Sequence, residues 1–495
     1  MKEKLLKGTL LLTLAGILTR IIGFVYRIFL ANTLGETELG IYQLVFPVYG
    51  ICFTLYASGL QTAVSQLVSN PHYKYSKKVI KTGILLSLGV SLTLSAVVFL
   101  FSDFISQHFL FTEKTSDLLK ILAIIFPFCG VTSMINGYFY GLREAKVPAV
   151  TQMVEQLCRV GFVFLIYASA FWDFSSKVAV AGLVAGEICS NIYNLFSLKR
   201  SKVKGGQLSA TKMKIARAIL KQAIPLSGTK LVISLLSSLE SVLIPIMLTA
   251  YGLSHDESLA LYGVITGIVI PFILFPGTIT NSLSVLLLPE ISKADNENNI
   301  AKIHHTTQIT IKYSLLLGCV ATAVFLNLGK QIGVLFFHSE NAGKLLTLLA
   351  VICPFIYVST TLSSIINGLS KTHITFRNTV CGLFLRILCL VVFTSKYGIY
   401  GYLFGLLLSQ IIISILDSVY LIRHGYTEIE LFRWLVFPGI VLSLSIYICR
   451  IAAQNICRSL HFEKDIILLI AILPALLISF FLFRITGLVR KKDLV

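Results

Sequence analysis

The sequence predicts an all-α polytopic membrane protein with about 14 transmembrane helices, and three observations carry that prediction. Of its 495 residues, 56% are hydrophobic and 13% are charged, whereas soluble domains have about 25% charged residues. The mean hydropathy is +0.84. Apolar stretches of about 20 residues, enough for a helix to cross a bilayer, recur along the whole chain.

Fourteen apolar segments are expected to span the membrane in order along the chain. They cover residues 9–31, 41–69, 81–101, 118–141, 149–171, 178–198, 219–250, 259–288, 309–328, 344–369, 374–394, 400–422, 434–453 and 466–488. The connecting segments on the side of the N-terminus hold 23 Lys and Arg residues, and those on the other side hold six. Because positive residues stay on the cytoplasmic side, both termini are predicted to be cytoplasmic.

The net charge of +19 follows from this asymmetry and does not indicate nucleic-acid binding. Basic cytoplasmic loops attract anionic headgroups, so membrane lipids are expected partners. The chain has no G-x-x-x-x-G-K-[ST] phosphate loop and no C-x-x-C pair for a metal, and its longest outward segment, 102–117, is too short for a catalytic domain. We therefore expect a secondary transporter rather than an enzyme, without cofactor or metal, coupled to the membrane potential or to a monovalent ion.

The chain is predicted to form two pseudo-symmetric six-helix lobes around a central cavity, followed by an extra helix pair. Residues 1–200 form the N-terminal lobe, 201–218 a basic cytoplasmic linker, 219–425 the C-terminal lobe, and 426–495 the extra pair with a cytoplasmic tail. Parallel repeats of this kind are related by an axis along the membrane normal and hold their substrate between them. The transporter is expected to be monomeric.

A weak internal repeat supports the division into lobes. Spans 4 and 5 align with spans 10 and 11 at an offset of 227 residues, and spans 6 and 12 share a small-residue pattern that lets helices approach closely. The predicted pairs are Pro127 with Pro354, Gly141 with Gly368, Arg159 with Arg386, and Gly182-x-x-x-Gly186 with Gly401-x-x-x-Gly405.

Cations at mid-span positions are the candidate binding residues. A charged side chain at the bilayer centre costs about 2.5–3.5 kcal/mol or more, so such residues are expected to be buried around a cavity and to be functional. Arginine suits phosphate because its planar fork donates bidentate hydrogen bonds. The substrate-binding residues predicted on this basis are Arg20, Arg27, Arg159, Lys230 and Arg386.

Four of these cations also have a structural explanation, whereas Arg386 has no carboxylate within its own span. Arg20 and Arg27 are seven residues apart, about two turns, and therefore share one helix face. Arg27 and Lys230 can instead extend to the membrane interface, and Arg20 can pair with a carboxylate. Arg159 has Glu155 one turn earlier, which allows a structural i,i+4 ion pair.

Four acids lie within the predicted spans: Glu155, Glu187, Glu240 and Asp417. Each can neutralise a cation, bind Na⁺ or carry a proton, and neutralisation is the simplest role. Glu155, Glu187 and Glu240 are predicted to balance the cations or to couple an ion.

Prolines within spans free backbone groups that neighbouring helices or a wet cavity must satisfy. Pro47 and Pro271 lie in spans that adjoin the first span of each half, and Pro245 lies in span 7. These three are the predicted hinge or gating positions.

The start of the chain resembles a known group of transporters. The matching residues are Thr19-Arg20-Ile21-Ile22-Gly23-Phe24, Leu34-Gly35, Gly40-Ile41-Tyr42-Gln43-Leu44 and Pro47. Together with the two-by-six repeat and the extra C-terminal pair, they are similar to the branch of the multidrug/oligosaccharidyl-lipid/polysaccharide (MOP) flippase superfamily that includes stage V sporulation proteins and lipid II flippases.

The resemblance implies a V-shaped cavity between two lobes, alternating access, and a polyprenyl-diphosphate-linked sugar as cargo. It also implies a groove near spans 13 and 14 for the lipid tail. The arginine of the family's R-x-x-G-F motif corresponds to Arg20, a diphosphate contact. Arg27 stands one residue further from Gly23-Phe24 than the family's second arginine, which turns its side chain by about 100° around the helix.

The predicted function is a flippase that moves a polyprenyl-diphosphate-linked sugar, lipid II or a related envelope precursor, from the cytoplasmic to the outer leaflet. One alternative is a cation-coupled exporter of drugs or metabolites on the same scaffold. Another is a scaffold for envelope or spore assembly that transports nothing. An exporter of organic cations favours acids in the first half, whereas the first span holds arginines and no acid.

Overall fold

The computed structural model describes residues 2–70, 73, 76–169, 174–201, 211–460, 466–486 and 488, and every regular element within these ranges is a helix. The predicted all-α class is therefore confirmed. Half of the predicted linker, residues 202–210, and the tail beyond residue 488 lie outside the described residues. Contacts group the chain into two compact units, Met1–Gly263 and Val264–Val495. The division into lobes at residues 200 and 219 stays a prediction.

The first unit contains helices of very different length. They are α1 (Lys2–Leu44), α2 (Phe46–Phe53), α3 (Gly59–Ser69), α4 (Lys77–Leu100), α5 (Ser102–His108), α6 (Ser116–Ala123), α7 (Ile125–Gly141), α8 (Lys146–Ser169), α9 (Ser176–Arg200), α10 (Lys212–Tyr251) and α11 (His255–Gly263). Its core includes a cluster of buried apolar side chains from α3, α4, α7 and the start of α10.

The second unit has the same all-helical character. Its helices are α12 (Ile270–Leu274), α13 (Thr278–Asn296), α14 (Ile300–Phe337), α15 (Glu340–Leu349), α16 (Cys353–Gly368), α17 (Thr372–Tyr397), α18 (Ile399–Arg423), α19 (Phe437–Leu460) and α20 (Ile466–Ile485). Helices α16, α17 and α18 pack against one another, as α7, α8 and α9 do in the first unit.

Eleven helical segments of the described residues are long and apolar enough to cross a membrane, or twelve if the bent pair Glu113–Ala123 and Ile125–Gly141 forms one span. One of them, Leu14–Ser69, has 56 residues and would be about 84 Å long as a straight helix, far more than a hydrocarbon core of about 30 Å. Gly35 breaks it at φ 76° and ψ 170°, a region that essentially only glycine adopts. The segment therefore accommodates predicted spans 1 and 2, while the total of fourteen stays a prediction.

The predicted hinge prolines lie at or near irregular backbone. Pro47 follows the break between α1 and α2, and its carbonyl accepts a hydrogen bond from Ser238 of α10 at 3.0 Å. Pro271 starts α12, directly after a π-helical turn over Val264–Val269. Pro245 is buried inside α10. Since π-turns are frequent at functional sites, the positions suit hinges, and that role stays a prediction.

The expectation that the mid-span cations are deeply buried is wrong. Arg20, Arg27 and Lys230 are exposed, and Arg159 and Arg386 are half-buried. A position in the middle of an apolar span fixes how far along the helix a side chain lies, but it does not fix which face the side chain occupies. Arg20, Arg27 and Lys230 thus stand on faces that the described residues leave uncovered.

The internal repeat is present in the contacts, with one correction. A Cβ at Gly182 would lie 3.4 Å from the carbonyl oxygen of Arg159, and a Cβ at Gly405 would lie 3.4 Å from that of Arg386. Gly182 therefore corresponds to Gly405, and the predicted match with Gly401 is wrong. The offset is 227 residues for α8 and α17 but 223 for α9 and α18. The reason is that the chain from Arg386 to Gly405 is four residues shorter than the chain from Arg159 to Gly182.

Candidate anion-binding site

Helices α8 and α9 cross in backbone contact at two glycines. A Cβ at Gly186 would lie 2.6 Å from the carbonyl oxygen of Glu155 and 3.0 Å from Cβ of Arg159, and one at Gly182 would lie 2.4 Å from Cγ2 of Val163. Small residues allow such close packing in a membrane. The crossing fixes the stretch of α8 that carries Glu155 and Arg159.

Arg159 makes the predicted i,i+4 ion pair. Its Nη2 donates to Oε1 of Glu155, and its Nη1 donates to Oε1 of Gln156 at 3.5 Å. The side chain of Arg159 is 21% exposed and that of Glu155 is 28% exposed. Nε of Arg159 is buried and has no hydrogen-bond partner among the described residues. The ion pair is therefore partly exposed, while this one donor of the guanidinium group is enclosed.

The second guanidinium group at this place is that of Arg27, on α1. Arg27 interacts electrostatically with Arg159 and with the hydroxyl of Tyr42. It makes no hydrogen bond or ion pair with the described part of the chain. The neighbouring Tyr26 is 4% exposed, and its buried hydroxyl has no partner. Two like charges thus lie near each other, and only one of them has a carboxylate partner.

Helix α1 approaches α8 at the Gly23 position of the opening motif. A Cβ at Gly23 would lie 3.3 Å from Nε2 of Gln156, whose Oε1 accepts from Arg159. The glycine therefore leaves room for the side chain that orients the Arg159 guanidinium group.

Arg20 lies two turns before Arg27 on the same helix face. Its side chain is exposed and has no ion pair among the described residues, so the structural explanation of a carboxylate partner fails for it there. Lys230, on α10, is likewise exposed and unpaired within the described ranges. Arg386 belongs to the other unit, on α17.

The predicted charge-balancing acids have different surroundings. Glu155 pairs with Arg159, so the predicted neutralisation is present at that position. Glu187 is 5% exposed on α9, and its Oε1 has no hydrogen-bond partner. Glu240 is 6% exposed on α10. Their role in ion coupling stays a prediction.

Sequence reasoning missed the three side chains that complete the site, Tyr26, Tyr42 and Gln156. Tyr42 stands in the Gly40-Ile41-Tyr42-Gln43 stretch, and Tyr26 lies directly before Arg27. Both could therefore have been identified as candidates from their place in the motif region. Gln156 had none, because only the packing of α1 on α8 brings it to Arg159.

The chain matches two protein-family models. The model described as "Polysaccharide biosynthesis protein" matches residues 5–276, and the one described as "MatE" matches residues 231–392. The first therefore covers more than half of the chain, including every residue of the site on α1, α8 and α9.

Individual proteins are similar over most of their length. Stage V sporulation protein B of Bacillus subtilis is 24% identical, covering 84% of this chain and 83% of that protein. The lipid II flippase MurJ of the same organism is 21% identical, covering 78% of this chain and 77% of its own. A solved structure of a lipid II flippase MurJ in an inward closed conformation, 16% identical, covers 96% of this chain and 99% of its own with a TM-score of 0.74.

Proposed function

Since the chain belongs to the polysaccharide biosynthesis protein family of the MOP superfamily, we propose that it is a flippase for a polyprenyl-diphosphate-linked sugar. It is a multi-pass membrane transporter rather than an enzyme. The cargo moves from the cytoplasmic to the outer leaflet of the bacterial plasma membrane, and a single chain carries it.

The unpaired guanidinium group of Arg27 beside the half-solvated Arg159–Glu155 pair is the observation that supports this cargo. An anion placed between Arg27 and Arg159 relieves the repulsion between the two cations. The guanidinium groups of Arg27 and Arg159 give donors for phosphate oxygens, a pairing that arginine favours.

Glu155 gives the site a means of release. A diphosphate that binds Arg159 competes with the carboxylate of Glu155 for the same guanidinium group. In this exchange the guanidinium group keeps an anionic partner both with and without the cargo. Glu155 therefore restores charge balance at Arg159 when the cargo leaves. Arg20, exposed on the same face of α1, extends the path of positive charge along the helix.

The membrane potential assists transport of an anion outward. Each negative charge gains about 2.3 kcal/mol per 100 mV when it moves away from an inside-negative face. A diphosphate carries at least one such charge, so the expected flipping rate rises with an inside-negative potential.

Reconstitution into liposomes tests the proposal. Purified protein is incorporated with a fluorescent polyprenyl-diphosphate sugar in the inner leaflet, and exposure on the outer face is measured with and without a potassium diffusion potential. We expect flipping by the wild type, stimulation by an inside-negative potential, and loss of at least about 90% of the rate in Arg27→Gln, because a charge-assisted hydrogen bond contributes about 1.5–3 kcal/mol.

Arg217→Gln is the matched control, since Arg217 is an exposed arginine near the start of α10, away from the site. It removes the same charge and should flip at the wild-type rate. Equal rates for Arg27→Gln and the wild type would contradict the role of the site. No flipping of any polyprenyl diphosphate by the wild type would contradict the proposed cargo.

The "MatE" match over residues 231–392 favours one alternative, a cation-coupled exporter of drugs or metabolites. The same liposomes distinguish it, because an exporter of organic cations moves ethidium-like dyes in exchange for sodium ions or protons. Uptake of such dyes in place of the lipid would support the alternative. A protein that moves neither would fit the scaffold role in envelope or spore assembly.

A further inference from the structure

We infer that Asp417 of the second unit is a proton-binding site, held by Asn378 and Ser363 from two neighbouring helices. Asp417 is on α18 and is 0% exposed. Its Oδ1 accepts from Nδ2 of Asn378 on α17 at 2.7 Å, and its Oδ2 accepts from Oγ of Ser363 on α16 at 3.1 Å. The carboxyl group therefore joins three helices through neutral partners.

No positively charged side chain of the described residues contacts the carboxyl group directly. Arg377 on α17 donates to Oδ1 of Asn378 at 3.3 Å and so contacts the amide, not Asp417. The other ionisable side chains at this level are Cys381 on α17, which is exposed, and Tyr420 on α18, which interacts with residues outside the site. Asp417 has no ion pair within the described part of the chain. An ionised carboxylate buried without a counter-charge is costly, and a bound proton removes that cost.

The internal repeat has a neutral side chain at the position in the first unit that is equivalent to Asp417. At the offsets of 223 and 227 residues, Asp417 corresponds to Asn194 and Asn378 corresponds to Thr151. Asn194 is also 0% exposed, and its Oδ1 accepts from Oγ1 of Thr151 at 2.8 Å. The first unit thus joins α8 and α9, the counterparts of α17 and α18, with a neutral amide. The second unit places an acid at that position, which adds a group that can gain and lose a proton.

The equivalence of the two positions rests on a second pair of contacts. Nδ2 of Asn191 donates to the carbonyl of Phe128 at 2.9 Å, and Oγ of Ser414 donates to the carbonyl of Phe355 at 3.0 Å. These bonds match at the same two offsets and lie one turn before Asn194 and Asp417. The register is therefore fixed independently of the carboxyl group itself.

Solvent is one side chain away from the site. Arg377 is exposed and contacts the far side of the Asn378 amide. By the predicted topology this end of α17 and α18 faces the cytoplasm, so the proton is exchanged with that side. A carboxyl group that is charged in one conformation and neutral in another can couple helix movement to a proton gradient, whatever the cargo is.

Infrared titration of the reconstituted full chain tests the inference without a transport assay. We expect a C=O stretch of a protonated carboxyl group that disappears as the pH is raised and is absent from Asp417→Asn. Asp103→Asn, which removes an exposed carboxylate on α5, should keep the band. Asp417→Asn should fold like the wild type, because Asn194 occupies the equivalent position.

Ser363→Ala provides a second variant that keeps the carboxyl group. Loss of this donor destabilises the ionised form, so the band should disappear at a higher pH than in the wild type. A wild-type spectrum that equals that of Asp417→Asn at every pH would overturn the inference. Removal of the band by Na⁺ at constant pH and ionic strength would overturn it as well, because it would make Asp417 a sodium site.

Discussion

Substitution of Gly186 by alanine should loosen the crossing of α8 and α9 that supports the site. The added Cβ would lie 2.6 Å from the carbonyl oxygen of Glu155, whereas ordinary contacts begin at 3.4 Å, so the helices must separate by about 0.8 Å (3.4 − 2.6). Backbone cannot rotate away as a side chain can. Overpacking of this kind costs about 1–3 kcal/mol.

Gly161→Ala on α8 is the matched control, because a Cβ there meets nothing within 4 Å. Both substitutions gain about 1 kcal/mol of helix propensity, so the difference between the two variants isolates the overpacking. The free energy of unfolding is measured by titrating mixed micelles with dodecyl sulfate and following helical circular dichroism. We expect Gly186→Ala to be less stable than Gly161→Ala by about 1–3 kcal/mol. Equal stability of the two variants would refute the close crossing.

Three further perturbations probe other contacts. Glu155→Gln frees Arg159 from its carboxylate, so we expect pyrophosphate, measured by calorimetry, to bind up to about fivefold tighter; weaker binding would show that the pair holds Arg159 in place for the anion. The hydrogen bond from Ser116 lowers the pKa of Asp103, so it stabilises the folded protein at neutral pH and this contribution is lost as the pH falls through that pKa. The melting temperature of Ser116→Ala should therefore be below that of the wild type at pH 7 and converge with it in acid, and a gap that persists in acid would count against the bond. Gly35→Ala should cost about 1–3 kcal/mol of stability through backbone strain alone, since nothing lies within 4 Å of the added Cβ; an unchanged denaturation midpoint would contradict the break in α1.

The helical fold could be predicted because composition and the length of apolar runs determine it. Each predicted span coincides with helical residues in the described ranges. Predicted spans 1 and 2 lie in one long helical segment, which is broken at Gly35. The helix face on which a residue lies could not be predicted, and for that reason Arg20 and Lys230, expected to be buried, are exposed.

The candidate site was predicted in part. Arg159 and its partner Glu155 were identifiable from their i,i+4 spacing, and Arg27 from its mid-helix charge. The proximity of Arg27 to Arg159 depends on how α1 packs on α8, which no local pattern encodes. The repeat illustrates the same limit, because glycine spacing suggested Gly401 as the partner of Gly182, whereas the contacts with Arg159 and Arg386 select Gly405.

Direct binding of a polyprenyl diphosphate to the purified protein tests the central claim, an anion site formed by Arg27 and Arg159. Affinity is measured by microscale thermophoresis for the wild type, Arg27→Gln and the control Arg217→Gln. The site predicts at least about tenfold weaker binding in Arg27→Gln and an unchanged affinity in the control. Equal affinities for all three proteins would contradict it.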